Sequence, residues 1–220
     1  MAKTLVIFDL DGTLLNTIDD LGNATNHALA ELGLPQHPLV AYPRMVGNGI
    51  TKLIERALPD DMRRPEIIAD ARRRFVAYYN DHCCDATRPY PGIPQLLADL
   101  AERHVNVAVA SNKYQDAVNR IIAHFFPDIK FAAVFGNVEG VPTKPDPSVV
   151  FEVLTLCPTP KDETLYVGDS GIDIETARRA CVESCGVTWG FRPERELREH
   201  YADNIVSDPD EILSIVSRKE

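Results

Sequence analysis

The stretch Leu5-Val6-Ile7-Phe8-Asp9-Leu10-Asp11-Gly12-Thr13-Leu14 opens with a short apolar run and breaks off in two aspartates and a glycine. Apolar without alternation, Thr4–Leu10 reads as a strand buried on both faces and entering a turn. Similar runs recur at Val105–Ala110, Phe131–Phe135, Leu165–Val167 and Ser184–Thr188, and Ile205-Val206 adds a short edge strand. Amphipathic helical segments separate them, and strands alternating with helices specify a parallel sheet. The expected fold class is therefore α/β, with a Rossmann-like parallel sheet as its core.

The gap between the first and second strands is too long for a simple crossover. Residues 16–85 carry three helical patterns, Asp19–Leu32, Gly49–Leu58 and Glu66–Tyr79, and no strand pattern. An all-helical domain is thus expected at 16–85, inserted after the first strand into a core made of residues 1–15 and 86–220. The insertion holds 10 acidic and 8 basic residues, so most of the net charge of −10 lies on the core.

Polar residues fall at the carboxyl ends of these strands: Asp9 and Asp11 after the first, Ser111 after the second, Asp169 after the fourth. Open parallel sheets bind ligands at that edge. Asp9 and Asp11 leave the strand on the same side, so one can act as nucleophile while the other serves as acid or base. Gly12 lets the backbone bend and bring its amides close to an anion. Gly168-Asp169-Ser170-Gly171-Ile172-Asp173 adds two carboxylates four residues apart. Clustered carboxylates repel unless a cation neutralises them or some are protonated, and an oxygen-rich set with Asp9, Asp169 and Asp173 suits Mg²⁺. Lys144 can serve a carboxylate and a phosphate, while Ser111 and Asn112 read as a helix start that presents N–H groups to an anion.

Four motifs in order, Asp9-Leu10-Asp11-Gly12-Thr13-Leu14, Ala110-Ser111-Asn112-Lys113, Lys144-Pro145 and Gly168-Asp169-Ser170 through Asp173, resemble those of the haloacid dehalogenase superfamily. Within it the chain most resembles the phosphoglycolate phosphatases. Asn16-Thr17-Ile18-Asp19-Asp20-Leu21, Glu31-Leu32-Gly33-Leu34-Pro35 and Val46-Gly47-Asn48-Gly49 look like that group's helical cap. Tyr90-Pro91-Gly92 and Thr188-Trp189-Gly190-Phe191-Arg192 are similar to its core segments.

The resemblance implies a Mg²⁺-dependent phosphomonoesterase acting on a small phosphorylated metabolite, with phosphoglycolate as the first choice. Asp9 would form an aspartyl-phosphate, and Asp11 would protonate the leaving oxygen and then activate water. Asp9, the Asp11 main-chain carbonyl and Asp169 would hold the metal, with Asp173 as ligand support or a partner for Lys144. Ser111, the Asn112 amide, Lys144 and Gly12 would bind the phosphoryl group. Gly47 and Asn48 would reach the substrate from the cap, with Arg44, Lys52, Lys113 or Arg192 as possible cations for its other end. Pyrophosphate, a nucleotide or a sugar phosphate are the alternatives on the same site, then a phosphosugar mutase, then a non-catalytic phosphate binder.

Composition narrows the rest. Hydrophobic residues at 45% and charged residues at 25% are ordinary globular values and leave no case for disorder. A net charge of −10 speaks against nucleic acid or an anionic membrane as partner. No apolar run approaches the roughly 20 residues of a membrane span, and the first is too short for a signal-peptide core. Five cysteines, at 83, 84, 157, 181 and 185, contain no CxxC pair. They read as reduced structural thiols, so the expected location is cytoplasmic. Monomer and homodimer remain equally compatible.

Overall fold

The computed structural model describes residues 2–218. In chain order its elements are β1 (Leu5–Phe8), β2 (Leu15–Asn16), α1 (Ile18–Glu31), α2 (Gly49–Ala57), α3 (Pro65–His82), β3 (Arg88–Pro89), α4 (Ile93–Glu102), β4 (Asn106–Tyr114), α5 (Gln115–Phe125), β5 (Ala133–Asn137), α6 (Ser148–Leu156), β6 (Thr164–Gly168), α7 (Gly171–Ala180), β7 (Glu183–Val187), α8 (Glu194–Glu199), β8 (Asn204–Val206) and α9 (Asp210–Val216).

The main sheet has six parallel strands in the order β5-β4-β1-β6-β7-β8. β1 is fully buried because both of its faces are covered. Val6 and Phe8 join the core under α4, α5 and α9, whereas Leu5 and Ile7 pack with Val150, Val153, Ala177 and Ala180 of α6 and α7. That period of two explains an apolar run without alternation: each side chain meets a helical layer on its own side. Phe8 pairs with Val109 on one side and Val167 on the other. Asp9 therefore emerges at the same height as Ala110 and Gly168, where the strand order switches direction.

β1 ends earlier than its apolar run suggested, at Phe8 instead of Leu10. The Leu10 carbonyl accepts from the amides of Thr13, Leu14 and Leu15, which turns the chain before a longer strand can form. A second correction concerns Ser111 and Asn112, which do not lie at a helix start. β4 continues to Tyr114, whose partner is Asn137 of β5 after an irregularity in the register, and α5 begins only at Gln115. Long-range pairing to β5 keeps the backbone extended there.

The helical segment contains α1, α2 and α3, close to the expected spans. α3 runs to His82, past Tyr79, since no glycine or proline interrupts residues 80–82. Apolar residues of the three helices, among them Leu21 of α1, Leu53 of α2 and Phe75 and Tyr79 of α3, extend the same core cluster that lies under α4 and α5. The two crossings between this segment and the sheet are tied together. β2 and β3 form a two-residue antiparallel ladder, Leu15 with Pro89 and Asn16 with Arg88, which the sequence pattern did not suggest.

Beside that ladder the carboxylate of Asp20, 3% exposed, accepts from the amides of Ala86 and Thr87 and from Thr87 Oγ1. Asp20→Ala is expected to leave these donors without partners and to lower stability by about 2–4 kcal/mol, read as the shift of the urea midpoint. An unchanged midpoint would show that the crossings are held by the ladder alone.

All five cysteines are free; Cys83 Sγ and Cys84 Sγ share a hydrogen bond at 3.8 Å and no disulfide. No described helix is long and apolar enough to cross a membrane.

Candidate active site

Four segments converge at the carboxyl edge of the sheet. The turn after β1 supplies Asp9, Asp11 and Gly12, and the end of β4 supplies Ser111, Asn112 and Lys113. The loop before α6 supplies Lys144, and the β6–α7 junction supplies Asp169 and Asp173. Two details show how closely the backbones approach. Gly12 has φ +86°, and a Cβ there would come within 2.4 Å of Asp169 Oδ2. A Cβ on Gly168 would come within 2.3 Å of Asp173 Cβ. Only glycine admits both carboxylates to this edge.

Lys144 is the buried hub. Its Nζ donates to Asp173 Oδ1 at 2.8 Å and to the Ala110 carbonyl at 2.9 Å. It also lies 2.8 Å from Asp9 Oδ1 as an ion pair, and Asp9 Oδ1 has no other partner. Burial opposes charge on this ammonium, yet Asp173 and Asp9 more than offset it and hold its pKa well above the usual lysine value. The Asn112 side chain fixes the Lys144 backbone from both sides, donating to its carbonyl at 3.1 Å and accepting from its amide at 2.9 Å.

The carboxylates differ in their surroundings. Burial pushes the Asp9 carboxyl up to about 7, with Lys144 pulling it down and Asp173 and Asp11 adding to the rise. Burial also drives Asp169 well above the usual carboxylate range, reinforced by Asp173 and Asp9, although its Oδ2 accepts from the Phe191 amide at 2.6 Å. Both oxygens of Asp173 are engaged: Oδ1 by Lys144, and Oδ2 by the amide and hydroxyl of Ser170 in a capping box at the start of α7. Ligand atoms of Asp9, Asp169 and Asp173 lie within 4.8 Å of one another. Three buried carboxylates, with Asp9 and Asp169 raised by that burial, and an Asp9 oxygen met only by the Lys144 ammonium form a donor set that a hard cation fits. Asp173 contributes from behind, through Lys144 and Ser170.

Asp11 does not join that cluster through its side chain. Its Oδ1 accepts from Thr17 Oγ1 at 2.7 Å, and Lys113 Nζ reaches Oδ1 at 2.9 Å and Oδ2 at 3.2 Å. Neither partner was assigned to Asp11 from the sequence. Ser111 and Lys113, two apart in extended backbone, do project to one side, and that alternation was the available signal. Ser111 is buried beside the cluster, with its Oγ accepting from the Lys113 amide.

The helical segment forms the opposite wall. Gly47 and Asn48 line the cavity together with Leu21, Leu53, Phe75 and Tyr79. Asn48 adopts φ +64°, just before α2. The carbonyls of this loop are gripped by two arginines: Arg56 donates to Met45 and Gly47, and Arg192, from the sheet side, donates to Pro43 and Val46. Among the four cations considered for the substrate's far end, Lys113 and Arg192 line the cavity, whereas Arg44 and Lys52 do not. Lys52 pairs with Glu55 instead. The cavity encloses about 100 Å³, small beside the roughly 300–1,000 Å³ of sites for drug-sized ligands.

A parallel α/β sheet, a carboxylate–lysine centre at its switch point and a helical segment facing that centre define a recognisable class of α/β enzyme. The chain belongs to the haloacid dehalogenase-like hydrolase family, whose model matches residues 6–187. It is 32% identical over 220 residues to a phosphoglycolate phosphatase of Haemophilus influenzae, covering 96% of this chain and 97% of that one. A phosphoglycolate phosphatase of Mesorhizobium japonicum is 32% identical over 209 residues, covering 94% and 92%. Among solved structures, a protein of Lactobacillus delbrueckii subsp. bulgaricus assigned as a phosphoglycolate phosphatase matches with a TM-score of 0.91 at 30% identity, covering 98% and 99% of the two chains.

Proposed function

We propose that this protein is a Mg²⁺-dependent phosphomonoesterase that hydrolyses 2-phosphoglycolate through an aspartyl-phosphate on Asp9. The observation that carries the reading is the state of Asp9 Oδ1: buried, and met by no group except the Lys144 ammonium 2.8 Å away. An oxygen held in this way is available to a phosphorus atom whose charge Lys144 can share. The names of the relatives support phosphoglycolate as the substrate. The small cavity supports a compact metabolite over a nucleotide.

In the first half-reaction Asp9 Oδ1 forms a bond to phosphorus while the bond to the glycolate oxygen breaks, and Asp11 gives that oxygen a proton. In the second half Asp11 takes a proton from water, the water oxygen bonds to phosphorus, and the bond to Asp9 breaks. Inorganic phosphate leaves and both aspartates are restored. Ser111, the Asn112 amide, Lys144 and the backbone freed by Gly12 hold the phosphoryl oxygens. Asp9, Asp169 and the Asp11 carbonyl would hold Mg²⁺, with Asp173 steadying the set. When bound, the ion neutralises charge on the phosphoryl group.

Residues 16–85 act in this reading as a cap over a core of residues 1–15 and 86–220. Gly47 and Asn48 contact the substrate, and closure limits access of water. All the groups invoked come from one chain, so a monomer suffices and a homodimer is equally compatible. The free thiols support a reducing, cytoplasmic location.

The test is phosphate release from 2-phosphoglycolate with Mg²⁺, alongside a panel of pyrophosphate, nucleotides and sugar phosphates. EDTA is expected to abolish release and added Mg²⁺ to restore it. Full activity in EDTA would remove the metal from the mechanism. A best substrate without a carboxylate would remove phosphoglycolate.

A further inference from the structure

Among the described residues, three cations line the cavity: Lys113, Lys144 and Arg192. Lys144 is enclosed by Asp9, Asp173 and the Ala110 carbonyl, and Arg192 donates to the carbonyls of Pro43 and Val46. Lys113 is different. It is 7% exposed, and its Nζ bonds only the two oxygens of Asp11, while lying 4.7 Å from the ring centroid of Tyr79. A buried ammonium facing a cavity and held by one carboxylate can exchange that partner for another of equal charge.

Tyr79 supplies the second half of the argument. It comes from α3 on the facing wall, where Phe75 stacks on it at 5.1 Å and Tyr114 meets it at an angle. The ring lines the cavity and is 1% exposed, yet its hydroxyl has no hydrogen-bond partner. A buried hydroxyl without a partner is disfavoured, and this one borders a space that a ligand can enter. Around the two donors the wall is apolar, formed by Leu21, Leu53 and Phe75. One cationic and one neutral donor in an apolar setting match the two oxygens of a carboxylate.

We propose that Lys113 and Tyr79 form the subsite for the carboxylate of the substrate, and that this carboxylate displaces Asp11 from Lys113. The inference rests on the phosphatase reading above and adds to it how the far end of the substrate is recognised. The exchange keeps Lys113 neutralised throughout, because one carboxylate replaces another. It also releases Asp11 from its tether, so that the freed carboxylate takes up a proton from water and turns to the leaving oxygen as an acid. A substrate with a neutral group in the same place leaves Lys113 on Asp11, so discrimination appears in kcat as well as in KM.

The decisive comparison is between 2-phosphoglycolate and 2-hydroxyethyl phosphate, which carries a hydroxymethyl group in place of the carboxylate. The native protein with Mg²⁺ should prefer 2-phosphoglycolate. In Lys113→Met the ratio of the two kcat/KM values is expected to fall about 100-fold, and Lys113→Arg should recover most of it. Tyr79→Phe, which removes one oxygen and keeps the packing, should lower the ratio about 10-fold. A Lys113→Met protein slower on both substrates with an unchanged ratio would overturn the proposal, because Lys113 would then act only on Asp11. A native protein that hydrolyses both compounds equally well would also overturn it, while leaving the phosphatase reading intact. Hydrolysis of neither would overturn both. If Lys113→Met does not fold, Tyr79→Phe decides: an unchanged ratio there rejects the subsite.

Discussion

Asp9→Asn is expected to abolish turnover, with kcat for 2-phosphoglycolate falling at least about 10⁴-fold. The amide cannot take up phosphorus as a carboxylate does, and no second carboxylate stands in its place. Asp11 is turned toward Thr17 and Lys113, and both oxygens of Asp173 are occupied. The same substitution should not destabilise the metal-free protein. Burial pushes the Asp9 carboxyl up to about 7, so at pH 8 the folded state bears a cost for keeping it ionised that the unfolded state does not. Replacing it with a neutral isostere removes that cost, and a urea midpoint in EDTA at pH 8 should stay level or rise. Full activity of Asp9→Asn would rule out the covalent route. Loss of activity together with a collapsed midpoint would mean that the residue matters for folding instead.

Lys144→Met should damage both stability and rate. Its ammonium is the shared partner of Asp9 and Asp173, all three buried. Removing it leaves two buried carboxylates without a counter-charge, and the loss expected is about 3–5 kcal/mol in the urea midpoint measured in EDTA. Mg²⁺ should recover part of that loss, since a cation among the same carboxylates replaces some of the missing charge. In turnover the variant is expected to lose about 10³-fold in kcat, because one positive group no longer faces the phosphoryl oxygens. A midpoint that does not move would show that Asp9 and Asp173 are neutral in the native protein without help from Lys144.

The pattern of β1 illustrates why the architecture was legible in the chain. A strand covered on both faces must be apolar at every position, and a turn beyond it needs residues such as Asp11 and Gly12. Both demands are local, so both are written in adjacent residues. The three helices of the insertion follow for the same reason, as each shows its apolar stripe within its own span. The end of β4 is not legible locally, because Tyr114 is held extended by Asn137, a partner 23 positions away whose influence leaves no local mark. The ladder between β2 and β3 was missed on similar grounds: two residues are too few to form a pattern.

The site divides along the same line. Asp9, Asp11, Asp169 and Asp173 are identifiable because each follows a strand or opens a helix, and parallel strands bring those ends together, whereas Ser111 and Lys144 are identifiable from the motifs that contain them. Which of them touch was not identifiable. Asp173 stood as either metal support or a partner for Lys144, and only the fold decides for the pair; Asn112 as the clamp on the Lys144 backbone and Asp20 as the tie between the crossings depend, like it, on contacts across 29 to 67 positions of chain. Arg192 could be read from the sequence as a substrate cation, and only its bonds to the Pro43 and Val46 carbonyls show that it holds the loop before α2.

By itself, then, the sequence determined the class of fold, the edge of the sheet where polar residues gather, and the family to which those residues belong. Periodicity and turn chemistry are short-range properties, and a buried sheet leaves them few alternatives. Tertiary structure alone decided which carboxylate meets which cation, and so left Asp9 Oδ1 facing Lys144 alone, Asp11 tethered to Lys113 and the Tyr79 hydroxyl unpaired. A charge in a buried site takes its character from groups a few ångströms away, and only folding brings those groups together.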